Sequence, residues 1–67
     1  MKIMVEKASE RAKEYLQDLA ASEGVAYYED GESAWITGED EHLLETLVEE
    51  VKEDLMVGED YDEIYLD

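Results

Sequence analysis

The chain has 67 residues, 21 of them Asp or Glu against five Lys or Arg, for a formal charge of −16. That length holds one domain with one small core, read here as residues 1–67, and the absence of Cys removes disulfides and thiolate metal sites. The charge excludes direct nucleic-acid binding and anionic membranes, whose phosphates it repels, and favours basic protein surfaces and cations.

Hydrophobic residues make up 45% of the chain, which argues for a folded domain, because disorder needs low hydrophobicity as well as high charge. The opening Met1-Lys2-Ile3-Met4-Val5-Glu6 is charged too early for a signal peptide. No apolar run approaches the roughly 20 residues of a membrane span. The expectation is a soluble, cytoplasmic chain. The charge is uneven along it: residues 1–13 sum to +2 and residues 14–67 to −18.

Lys2 to Glu6 reads two ways, as a strand or as the start of the first helix, since Val5 fits the helical stripe as well. That helix is expected over about residues 8–23, with Ala8, Ala12, Tyr15, Leu16 and Leu19 on one side and Gly24 as terminator. A hairpin follows, with Val25–Tyr28 and Ser33–Thr37 flanking Glu29-Asp30-Gly31-Glu32. Asp-Gly at its tip predicts a type I′ turn, in which both central residues need φ > 0. Alternation places Ala34 and Ile36 on one face and Ser33, Trp35 and Thr37 on the other.

The second helix is expected over about Glu39–Val57, from the stripe Leu43, Leu44, Leu47, Val48, Val51 and Leu55. Thr37 with Asp40 suits a start resembling a capping box, and Gly58 a stop. Residues 61–67 alternate as an edge strand, with Ile64 and Leu66 inward and Glu63 and Tyr65 outward. The order β-α-β-β-α-β predicts a ferredoxin-like α+β fold, two helices on one face of a three- to four-stranded antiparallel sheet. Without the first strand it becomes α-β-β-α-β. The expected core is Leu16, Leu19, Val25, Ile36, Leu44, Leu47, Val48, Val51 and Ile64.

Glu41, Glu45, Glu49 and Glu53 form an i, i+4 row on the second helix, with Glu50 and Asp54 beside it. Like charges at that spacing cost about 0.2–0.5 kcal/mol per pair, so the row opposes its own helix. Its members repeat every ~6 Å along the axis, comparable with successive phosphates of a nucleic-acid strand. These six carboxylates are the candidate partner-binding surface. Tyr28, Trp35 and Tyr65 share the expected open sheet face and form a second candidate partner surface, because Tyr and Trp dominate interface hot spots.

His42, the only histidine, reads as a surface residue. Oxygen ligands for a hard cation are weakest as candidates: Asp60, Asp62 and Glu63 in the tail, and Glu29-Asp30-Gly31-Glu32 in the hairpin, neither matching the EF-hand spacing. No nucleophile elbow, phosphate loop or cofactor motif is present, so no enzyme and no cofactor is expected.

From Val25 onward the chain resembles the family of the DNA-damage-inducible protein I, a small bacterial modulator of the recombinase filament. The resemblance lies in the hairpin ending Ala34-Trp35-Ile36-Thr37-Gly38, the acidic helix Glu39–Asp54 and the stretch Glu59-Asp60-Tyr61. It covers residues 25–61 and implies an acidic helix that competes with DNA for a DNA-binding protein. The added last strand and the uncertain first strand depart from that pattern.

The leading expectation is an acidic inhibitor or modulator, a DNA mimic in kind, that occupies the basic site of a nucleic-acid-binding protein. It would act as a monomer or weak dimer, and by analogy be encoded by a phage or mobile element. The alternatives are a salt-adapted acidic housekeeping domain and a low-affinity binder of calcium or another divalent cation. Against salt adaptation, Glu outnumbers Asp by fourteen to seven and four cations cluster near one end.

Overall fold

The computed structural model describes residues 1–67. Strand β1 (Lys2–Glu6) resolves the ambiguity at the chain start. Alternation outweighs the helical stripe there, for Ile3 and Val5 are fully buried while Lys2, Met4 and Glu6 face the other way. Helix α1 (Glu10–Glu23) begins two residues later than expected because Ser9 caps it, its hydroxyl accepting from the Ala12 N–H at 3.1 Å. It ends at Gly24, whose φ of 72° suits a residue without a Cβ.

Strands β2 (Ala26–Asp30) and β3 (Ser33–Thr37) form the expected hairpin, with a corrected tip. Asp30 pairs with Ser33, so the loop is Gly31-Glu32 alone. Gly31 has φ 61° and Glu32 is not at positive φ, the type II′ pattern with Gly first rather than type I′.

Helix α2 (Glu41–Asp54) is shorter than expected at both ends. Its N-cap is Asp40, whose carboxylate accepts from the Leu43 N–H at 3.2 Å, whereas Thr37 ends β3 and caps nothing. At the other end Leu55 turns extended to bury its side chain, and Gly58 lies in the following turn rather than at the helix end.

Strand β4 (Glu63–Leu66) completes a four-stranded sheet of order β2-β3-β1-β4, antiparallel at every junction. The topology is β-α-β-β-α-β, with both helices on one face: α1 over β2 and β3, α2 over β1 and β4. Between the layers lie Ile3, Val5, Leu16, Ile36, Leu44, Leu47 and Val51, all essentially inaccessible. Leu19, Val25 and Ile64, expected fully inside, are half-buried at the margin. Eight residues outside the expected core are buried in it: Ile3 and Val5 of β1, the alanines Ala8, Ala12, Ala20 and Ala34, and Leu55 and Tyr61 of the later chain. Alanines on the buried face of α1 and on β3 beneath it let the helix and the sheet pack without a void. No helix is long and apolar enough to cross a membrane.

Candidate functional site

The six carboxylates singled out on α2 are all exposed, but they divide between two flanks. At about 100° per residue, Glu45 and Glu50 lie roughly 140° apart around the helix. Glu45 and Glu49 border a shallow groove against β4, floored by Val48, Ile64 and Leu66. On the other flank Asp54 reaches α1, accepting from the Tyr15 hydroxyl at 2.6 Å. Glu50 is close enough to act on the same phenol. Desolvation first, then the hydrogen bond and charge of Asp54, then the charge of Glu50, push the Tyr15 hydroxyl well above the usual tyrosine range. Asp54 therefore ties the two helices together, and the acidic row with no partner outside α2 is Glu41, Glu45, Glu49 and Glu53. Glu49 carries the row's one intrahelical partner, Lys52 at 3.8 Å.

Nor does the cationic chain start form a basic patch. The fold brings acidic residues from later in the chain to three of its four cations. Lys2 pairs with Asp67 at 3.9 Å, Arg11 with Asp60 at 3.4 Å and Lys13 with Glu29 at 3.7 Å. Lys13 also donates to the Gly31 carbonyl at 2.7 Å, tying α1 to the hairpin tip. Four of the five cations are thus held in ion pairs within the chain, and only Lys7, in the β1–α1 turn, is outside them. The surplus carboxylates face solvent.

The sheet face away from the helices is open and organised in rows by the strand register. Tyr28 is opposite Trp35, Trp35 opposite Met4, and Met4 opposite Tyr65, an unbroken line across all four strands. The three aromatics expected on this face are all on it, joined by Met4, whose place there depends on β1 being a strand. The Tyr28 and Trp35 rings stack at 6.0 Å between centroids and 23° between planes. Lys2 lies over Trp35, its Nζ 5.7 Å from the ring centroid. Tyr28 and Tyr65 remain exposed, at 52% and 39%. The Tyr65 hydroxyl is raised above the ordinary tyrosine value, by desolvation first and then by the charge of Glu6.

Compared with protein-family models, curated proteins and solved structures, this chain matches none.

Of the oxygen ligands considered in the tail, Asp60 is the one the structure removes from solvent, at 5% exposure, and its contacts are structural. Its Oδ2 accepts from the Met56 N–H at 2.9 Å and its carbonyl accepts from the Ser9 N–H at 2.8 Å. The carboxylate thus folds the α2–β4 connection back on itself and joins it to the start of α1, which also buries Tyr61. Asp62 and Glu63 are exposed, and no three carboxylates or histidines of the chain converge as metal ligands. His42 is exposed in the first turn of α2, and its carbonyl accepts from the Thr46 hydroxyl at 3.1 Å. The Tyr27 hydroxyl, on the helix-facing side of β2, is pushed up to about 12 by burial and by its 3.1 Å bond to Glu29.

Proposed function

We propose that the chain is an acidic protein-binding inhibitor or modulator that occupies the basic site of a nucleic-acid-binding protein in the cytoplasm. The observation that carries this reading is the row Glu41, Glu45, Glu49 and Glu53, exposed along one helix while four of the chain's five cations are held elsewhere or by Glu49 itself. A helix that kept this row only for solubility would gain from interspersed lysines. The row presents negative charge at helical spacing to any groove that tracks a phosphate backbone. Potential complementarity of that kind acts mainly on association rate and partner choice. The likeness of residues 25–61 to the DNA-damage-inducible protein I family points to the same class of partner.

The substitution pair that tests it is Glu45→Lys with Glu53→Lys. Each new lysine follows a glutamate by four residues, the favourable order, and the Glu49–Lys52 pair is left in place. Lysine at 53 also suits the negative end of the helix dipole. The fold should be kept or stabilised by a few tenths of a kcal/mol, roughly one i, i+4 pair each. Parent protein used as bait should retain basic, nucleic-acid-binding proteins at low salt, release them at high salt and inhibit their DNA binding. The double variant should do neither. Equal capture and inhibition by the two baits, with equal circular dichroism, would show the row to be a solvated face.

A further inference from the structure

The open sheet face carries chemistry that the acidic helix lacks. Beside the aromatic line runs a second row on the same face. Glu6 is opposite Glu63, Asp30 is opposite Ser33, and Ser33 lies one step past Ala34 in the β1 register. Like charges directly opposite across antiparallel strands are destabilising, at about 4.5–5.5 Å between Cβ atoms. No cation of the chain pairs with Glu6, Glu63 or Asp30. On the other side of the aromatic line, Lys2 and Asp67 satisfy each other. The face is therefore neutral along one margin, aromatic through the middle and uncompensated in negative charge along the other margin.

We propose that this face docks an arginine-bearing segment of a basic protein, with guanidinium groups stacked along Tyr28, Trp35 and Tyr65 and hydrogen-bonded to the facing carboxylates of Glu6 and Glu63. The inference rests on the reading of a basic protein partner given above and assigns that partner a second contact. Charge complementarity selects the occupant. A guanidinium stacks on aromatic rings and offers a planar fork of donors to carboxylates, which a lysine ammonium does not. Rows two residues apart along a strand are separated by about 6.8 Å, within reach of one side chain that stacks on the aromatic row and bonds to the acidic one. The chain's own Lys2 over Trp35 shows a cation accommodated on this surface. Across four strands the aromatic line spans about 14 Å, the length over which an extended segment presents side chains i, i+2 and i+4 on one side. A second copy of the chain would bring another −16 to the face, and a nucleic acid would set its phosphates against the unpaired carboxylates.

Trp35 is the only tryptophan, so its emission reports this face directly. The probe is a short peptide of alternating arginine and glycine without aromatic residues, compared with its lysine counterpart and with a single-stranded oligonucleotide. The arginine peptide should change Trp35 emission saturably, the lysine peptide should bind several-fold more weakly, and the oligonucleotide should leave emission unchanged. Glu6→Gln with Glu63→Gln removes a repulsive pair, so it should fold at least as well as the parent. It should bind the arginine peptide about tenfold more weakly. Unchanged affinity in that variant overturns the proposal, as does an oligonucleotide-dependent signal or self-association that itself alters Trp35. The two readings fail separately. If E45K/E53K abolishes capture of a basic protein while E6Q/E63Q leaves it unchanged, the helix is the contact and the sheet inference falls. If E6Q/E63Q alone abolishes it, the sheet stands and the helix reading falls.

Discussion

Replacing Asp60 by Ala removes a buried carboxylate that accepts the Met56 N–H at 2.9 Å and faces Arg11 at 3.4 Å. The two losses differ in weight. A hydrogen bond to a charged acceptor contributes about 1.5–3 kcal/mol. The Arg11 side chain is 74% exposed, so its ion pair adds at most about 1 kcal/mol. Relief of one surplus negative charge offsets part of the second term, leaving a cost of about 2 kcal/mol. For a domain of this size that lowers Tm by about 8–16 °C. Asp60→Asn keeps an acceptor for Met56 and should recover half or more of the loss, while Arg11→Gln should cost under about 1 kcal/mol. Thermal and urea unfolding in moderate salt measure all three. The reasoning is refuted if D60A lies within about 0.5 kcal/mol of the parent, the ordinary range for an inert surface position. It is equally refuted if D60N is as damaging as D60A, or if calcium raises the Tm of the parent but not of D60N, which would make Asp60 a cation ligand.

Ionic strength should act on the whole molecule: Tm is expected to rise from low to moderate NaCl as self-repulsion is screened, and a flat profile would show the −16 charge to be of little consequence to folding. Alkaline titration followed by tyrosinate absorbance should show Tyr15 and Tyr27 ionising late, with Tyr27 near 12. Because these phenols bind their protons more tightly folded than unfolded, their contribution is complete below about pH 10 and is lost as pH rises through the folded values. Tyr15→Phe should therefore reduce the fall in stability above pH 10, and an unaltered slope would count against the Tyr15–Asp54 bond. Ser9→Ala should cost about 0.5–2 kcal/mol through loss of the α1 cap, read by urea unfolding, and a neutral result would reassign that helix start.

Helix α2 was legible because its stripe repeats with the helical period through Leu44, Leu47, Val48 and Val51, and those residues are the ones buried. The fold followed once two such helices flanked a hairpin and a tail strand. What local pattern left open was decided at long range. Val5 suits a strand or a helix equally, and only its pairing with Ala34 and Ile64 on either side settles it. In the sequence Asp60 reads as a weak cation ligand of an acidic tail, since its burial depends on Ser9 and Arg11, about fifty positions away in the chain. Asp54 looked like part of the acidic row for the same reason, its partner Tyr15 lying on the other helix. The aromatic face was partly legible, through alternation in β3 and β4, but the continuous line through Met4 needed the register of the central strand.

The position of β1 bears on how the domain assembles. It is the first strand in sequence and an inner strand of the sheet, paired with β3 and with β4, so Ile3 meets Leu66 at almost the full length of the chain. Such non-local pairings must absorb loop-closure entropy before they return any stability, which slows folding more than it lowers the final free energy. Strand β1 is itself neutral, but the chain start through residue 13 sums to +2 against −18 over residues 14–67. The polarity that is largely taken up in ion pairs in the finished structure is an attraction between the chain start and the acidic remainder in the unfolded chain, favouring the long-range encounter that β1 needs.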